Sequence, residues 1–123
     1  MRDPRRALGA AGERVTALYL EQRGYRILGR NVRLKGGEID IVADHNGCLV
    51  IVEVRLRRGA GTGIALESVA RKKQERLRRL SMEYCAGLQA PPESVRIDVV
   101  GISLDGRGRV VDLVLIENAV EDC

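Results

Sequence analysis

Behind the cap and first-turn pair Asp3-Pro4, apolar residues recur at helical spacing, with Ala11, Val15, Leu18 and Tyr19 on one face. This pattern predicts a helix to about Arg23, ended by Gly24. The period then shortens. Tyr25 to Arg33, Glu38 to Asp44 and Cys48 to Leu56 are rich in Ile, Val and Leu and separated by Gly-containing turns, which predicts three strands. Arg57 to Gly63 has the composition of a basic loop. Leu66, Val69, Leu77, Leu80, Tyr84 and Leu88 return to helical spacing up to about Gly87, with Arg71, Lys72, Arg76 and Arg79 on the outer face, and Pro91-Pro92 closes that element. Two further strands follow, Ser94 to Ile102 and Arg109 to Ile116, joined by the turn Asp105-Gly106-Arg107-Gly108. The predicted order is αβββαββ.

Asn46-Gly47 between two apolar strands is the strongest short-range signal for a two-residue type I′ hairpin. Such a turn pairs His45 with Cys48. It then sets Val42 opposite Ile51, Ile41 opposite Val52, Asp40 opposite Glu53 and Glu38 opposite Arg55. Regular alternation places Glu38, Asp40, Glu53 and Arg55 on one face, and Ile39, Ile41, Val52 and Val54 on the other. Two opposed carboxylates about 5 Å apart repel by roughly 3 kcal/mol at an effective dielectric near 20. Either Arg55 offsets that repulsion, or a divalent cation does, since Mg²⁺ sites use one or two carboxylates with waters and substrate phosphates.

At 123 residues the chain has room for one domain, expected to end in a short disordered tail over about 118–123. With 45% hydrophobic and 31% charged residues, composition excludes a disordered chain, and no apolar run reaches the roughly 18 residues of a membrane helix. A soluble, cytosolic protein is expected. Three cysteines without a CxxC spacing and a single histidine exclude a disulfide framework and a structural zinc site. Cys48 and Cys85 are expected as buried small hydrophobes, His45 as a solvated turn residue, and Asp98 as an anchor or arginine partner. Without Phe or Trp, base stacking is not the main means of recognition.

Charge is distributed in blocks. Residues 1–35 carry nine bases against three acids, 36–54 four acids and no base, 55–79 nine bases against two acids, and 80–123 three bases against eight acids. Basic segments attract phosphates, and carboxylates between them suit a metal ion. The Gly59 to Gly63 stretch is not a P-loop, because no Gly-Lys-Ser/Thr follows.

Asp40, twelve intervening residues, then Glu53-Val54-Arg55 resembles the PD-(D/E)xK nuclease pattern. Further blocks are Gly9-x-x-Gly12-Glu13, Gly24-Tyr25-x-Ile27-Leu28-x-Arg30-Asn31, Gly37-Glu38-Ile39-Asp40-x-Val42, Val52-Glu53-Val54-Arg55-x-Arg57, Ser68-Val69-x-x-x-Lys73-Gln74-x-Arg76-Leu77 and Arg96-x-Asp98-Val99-Val100. In this order, over residues 9–102, they resemble the bacterial YraN-like family of predicted endonucleases. The resemblance implies a restriction-endonuclease-like α/β fold: a central mixed five-stranded sheet flanked by helices, similar to Holliday-junction resolvases. It implies a Mg²⁺- or Mn²⁺-dependent endonuclease acting on DNA, with branched or structured DNA as candidate substrates. Asp40 and Glu53 would be metal ligands and Glu13 a third acidic group reaching the same cleft; Glu38 would either bind metal or pair with Arg55. Lys73, Gln74 and Arg76 would face the phosphate backbone or the active site, with Arg57, Arg58, Arg71 and Lys72 as further nucleic-acid contacts. The likeness to junction resolvases suggests a homodimer, although no dimer surface is identifiable in the sequence.

Arg55 departs from the wider pattern, which has lysine there. Arginine cannot act as a base, yet it retains electrostatic help, and a metal-bound water needs no lysine. The alternative readings are a non-catalytic nucleic-acid-binding protein on a nuclease scaffold and a protein-interaction module using the acidic C-terminal segment and the basic helix.

Overall fold

A computed structural model describes residues 4–58 and 71–119, with side chains described over 11–57 and 73–119. Its elements are α1 (Pro4–Gln22), β1 (Arg26–Leu34), β2 (Gly37–His45), β3 (Cys48–Arg58), α2 (Arg71–Ala86), β4 (Val95–Leu104) and β5 (Val110–Ile116). Every expected element is present in the expected order. The expected start of the second helix, with Leu66 and Val69, lies outside the described residues.

The strands form one mixed sheet in chain order, β1 to β5. Neighbours are antiparallel except β3 and β4, which run parallel and are joined through α2. Asn46 and Gly47 both have positive φ, 53° and 85°, as a type I′ turn requires, and His45 pairs with Cys48. From there the register follows the sequence expectation to Ile41 opposite Val52.

Two apolar layers cover the sheet. Ala17 and Leu20 of α1 lie with Ile41, Ala43, Val50, Val52, Val100 and Ile102 on one side, with Val54 and Leu56 packed alongside. Leu77 and Leu80 of α2 lie with Ile39, Val42, Leu49, Ile51 and Ile97 on the other. Near-complete burial of these aliphatic side chains, each worth roughly 1.5–3 kcal/mol relative to exposure, is the main force joining helices to sheet.

The buried stripe of α1 differs from the expected one. Glu13, Thr16, Ala17 and Leu20 face the sheet, whereas Leu18 is 62% exposed. These four positions have the i, i+3, i+4, i+7 spacing of one helix face, and two of them are polar, which disguised the stripe in the sequence. α1 approaches β3 closely at Gly12, where a Cβ atom would stand 2.8 Å from Leu56 Cδ2. Glycine thus lets this helix settle low enough for Glu13 to reach the sheet.

The far end of α2 is tied to the β1–β2 turn. The Glu83 carboxylate accepts hydrogen bonds from the amides of Lys35 and Gly36 at 2.8 and 2.9 Å. At the opposite end of the sheet Asn118 donates its amide to Asp98 and Ala119 to the Ile97 carbonyl, so the chain is still bonded beyond β5. The rest of the expected tail, 120–123, lies outside the described residues.

A candidate carboxylate site at a break in the sheet

The β2–β3 ladder stops one residue short of the position where Asp40 would face Glu53. Instead of a carbonyl across the ladder, the amide of Val54 donates to Asp40 Oδ2 at 2.8 Å. A side chain has replaced a backbone acceptor, and strand alternation steps at that point. Ile41 packs in the α1 layer, but Ile39 lies with Val42 in the α2 layer. Across β1 the same level holds Asn31, whose φ of 52° is left-handed.

This break corrects the expected grouping. Ile39 does not share a face with Ile41, Val52 and Val54. Glu38, next to Ile39, is turned toward the α1 side, while Glu53 and Arg55, between Val52, Val54 and Leu56, are turned toward α2. Glu38 and Arg55 are therefore not opposed residues on one face. The physical cause is that the Asp40 carboxylate satisfies the Val54 amide, which a continued regular ladder would have left to backbone.

Two acidic groups meet at the break, and the charge of Asp40 is felt by a third from the other layer. Asp40 is half-buried. Glu53 is only 8% exposed and shares a hydrogen bond with Asp40. Burial and then the Asp40 charge push its pKa up to about 7, against the opposing pull of Lys73 and Arg76 on α2. From the other layer comes Glu13, buried and hydrogen-bonded through its side chain to Asn31. Burial raises its pKa too, helped by Asp40 and Glu38, and its Oε2 is buried without a hydrogen-bond partner.

Lys73 thus lies where α2 addresses Glu53, as does Arg76 at longer reach. Gln74 is half-buried on the same helix, and Arg55 and Arg57 are half-buried on β3. The side chains of Arg58, Arg71 and Lys72 lie outside the described residues.

The residues fit a hard divalent cation of the Mg²⁺ class, which takes one or two carboxylates and completes its shell with water and phosphate oxygens. Asp40 and Glu53 supply two carboxylates in contact, and Glu13 has an unpartnered buried oxygen in the same electrostatic neighbourhood. Among the described residues no group of three or more His, Cys, Asp or Glu side chains is placed to hold a metal ion, so protein ligands beyond Asp40 and Glu53 are not assembled there.

Glu53 has a measurable consequence for stability. Its folded pKa lies above the ordinary carboxylate value of 4.5, so the folded chain retains a proton that the unfolded chain releases. Stability from this group is fullest below about 4.5 and is lost as pH rises through about 7. Glu53→Gln should therefore stabilise the metal-free protein at pH 8, by up to about 3 kcal/mol, with the gain vanishing toward pH 4.5. Urea denaturation in chelator across that range checks this. Added Mn²⁺ should raise the Tm of the wild type and not of the variant.

Asp98 is the arginine partner expected of it, in a separate network on the α1 side at the hairpin end of the sheet that also takes in His45. Arg96 Nε donates to Asp98 Oδ1 at 3.0 Å, Tyr25 OH donates to Asp98 Oδ2 at 2.8 Å, and Arg96 Nη2 donates to Tyr25 OH at 2.8 Å. His45 is not a solvated turn residue: its ring stacks on Tyr25 at 4.0 Å, and Nδ1 lies 2.7 Å from Arg96 Nη2. Guanidinium can only donate, so this Nδ1 is the lone-pair nitrogen and the ring proton sits on Nε2. Burial, then Asp98, raises the Tyr25 phenol well above its usual range. Cys48 and Cys85 are half-buried rather than fully buried.

Comparison with known proteins bears on the whole arrangement. A family model described as "Uncharacterised protein family UPF0102" matches residues 12–102, spanning all three acidic groups. UPF0102 proteins from Symbiobacterium thermophilum and Roseiflexus castenholzii are 46% and 45% identical to this chain. The first alignment covers 93% of this chain and 96% of the relative, the second 96% of each. Among solved structures, Pyrococcus furiosus SfsA in complex with Ca²⁺ matches with a TM-score of 0.36 and 15% identity, covering 95% of this chain and 65% of that one.

Proposed function

The chain belongs to the uncharacterised protein family UPF0102, the YraN-like family, and from that premise and the carboxylate site we propose that it is a metal-dependent endonuclease hydrolysing phosphodiester bonds in DNA. The observation that supports this most is the Asp40–Glu53 contact at the break in the sheet, bordered by Glu13 and addressed by Lys73. Two acids brought together at such electrostatic cost are what a bound cation would repay. Mg²⁺ or Mn²⁺, when bound, would lower the pKa of a water molecule and neutralise charge on phosphate oxygens.

The chain's own residues would do the rest. Asp40, fixed by the Val54 amide, and Glu53, fixed by burial, would hold the ion. A cation favours the ionised form of Glu53, so binding would release the proton that burial retains at neutral pH. Lys73 and Arg76 would orient a phosphate against that centre. Arg55, on the α2-facing side of β3 with Glu53, would add positive charge without serving as a base.

The test is cleavage of end-labelled four-way-junction, flap, single-stranded and linear duplex DNA with Mg²⁺ or Mn²⁺, and with chelator as control. Metal-dependent cutting is expected, with structured substrates ranked above linear duplex. Salt-sensitive binding without cutting under any condition would replace this proposal with a non-catalytic DNA-binding role.

A further inference from the structure

Between Arg23 and Lys35 the chain has five basic residues and no acidic one, and most of this stretch is the edge strand β1. In a regular strand Arg30 and Arg33, three positions apart, would point to opposite faces. The left-handed residue Asn31 between them changes that. Arg30 pairs with Ile41, whose side chain lies in the α1 layer. Val32 and Leu34 pack in the α2 layer, which turns Arg33 toward the α1 side as well. Both arginines therefore stand on the α1 side of the sheet edge, flanking the level of Asn31 and Asp40.

Both are exposed, and among the described residues neither makes an ion pair. Glu38 lies across from Arg33, and Glu13 feels the charge of Arg30 only as the weakest of its influences, so neither acid holds an arginine. A fully extended strand would set their Cα atoms about 10 Å apart, and the left-handed Asn31 between them shortens that span. Arginine presents a fork of donors matched to phosphate oxygens. Arg26 differs: it precedes the irregularity between Ile27 and Gly29, and pairs with Asp44 on the α2 side.

We infer that Arg30 and Arg33 form a two-point clamp for the phosphate backbone of a nucleic acid, brought to one side of edge strand β1 by the kink at Asn31. The inference rests on the proposed function for its substrate class but not for its chemistry. A plain reading of charged edge strands is that they keep other strands from pairing there. That reading treats Arg26, Arg30 and Arg33 alike and involves no nucleic acid.

The experiment is anisotropy titration of fluorescein-labelled duplex and four-way-junction DNA in chelator, so that nothing is cut, over about 50–200 mM salt. Arg30→Gln/Arg33→Gln is compared with wild type and with Arg26→Gln, each checked for fold by circular dichroism. The double variant should bind about tenfold or more weakly, with the salt slope reduced by about 1.8, or 0.9 for each lost phosphate contact. Arg26→Gln should stay within about twofold of wild type. An unchanged slope in the folded double variant, an equal effect from Arg26→Gln, or a wild type that binds no DNA would each overturn the clamp. Absence of cleavage in the nuclease assay would leave it standing, because binding alone is read here.

Discussion

Asp40→Asn is expected to lower metal-dependent DNA cleavage by at least about a hundredfold while leaving the protein folded and DNA binding intact or strengthened. The metal's stabilisation of phosphate charge is worth several kcal/mol, and each 1.36 kcal/mol is a factor of ten in rate. Asparagine retains an oxygen for the Val54 amide, so the break in the ladder survives the change. What is lost is one of the two negative charges that face a cation. Removal of that charge also relieves Glu53, whose raised pKa owes its second-largest contribution to Asp40. The pairing of outcomes is informative: cleavage should fall, while stability in chelator and affinity for DNA should hold or rise. Full activity in the variant, purified as the wild type is, would remove Asp40 from the chemistry and with it the proposed mechanism.

The second large effect concerns stability alone. Asp98→Leu is expected to cost about 3–5 kcal/mol in urea denaturation, the range for breaking a buried ion pair from one side. Asp98 is fully buried and accepts hydrogen bonds from Arg96, Tyr25 and the Asn118 amide, so its loss strands three donors together. Arg96 would keep its charge in a side chain only 19% exposed. Combining the change with Arg96→Met should recover much of the loss, since a paired apolar replacement leaves no orphaned charge. A single-variant cost below 1 kcal/mol would show that water reaches the network and screens it.

These two aspartates mark how far the sequence could be read. Asn46-Gly47 specifies a turn that only positive φ at both positions allows, so the register down to Ile41 opposite Val52 was legible residue by residue. The break at Asp40 was not. Alternation of apolar residues in Ile39-Asp40-Ile41 looks regular, and only the side-chain hydrogen bond from Val54 shows that the two isoleucines enter different layers. Asp40 and Glu53 do come together, but the geometry joining them arises from that break and not from the opposed pair that alternation predicts. Glu13 follows the same lesson. Its burial rests on a helix stripe that includes two polar side chains, and a rule that looks for leucines selected exposed Leu18 instead.

His45 was misjudged, and Arg30 was not singled out, for a related reason. Each belongs to a set assembled across the sheet: His45 meets Tyr25 and Arg96 from β1 and β4, and Arg30 shares a side with Arg33 only because of Asn31. Nothing in the spacing of a single strand reports such neighbours. The Tyr25 signal was present in the sequence as an aromatic following Gly24, but its partner Asp98 is 73 positions away.

The mixed pairing of the sheet sets an order in time. Strands β1, β2 and β3 are joined by tight turns, so their contacts are local and little loop entropy opposes them. Strand β4 can pair with β3 only after the chain between Arg58 and Val95 has been closed into a crossover, and contacts of that span form slowly. Asp40 and Glu53 both lie on the early half. On this topology the two acids are expected to meet while water still surrounds them, with their mutual repulsion well screened. Docking of α2 and β4 would then remove that water, so that the burial raising Glu53 is expected to be imposed on a pair already assembled, in the final steps of folding.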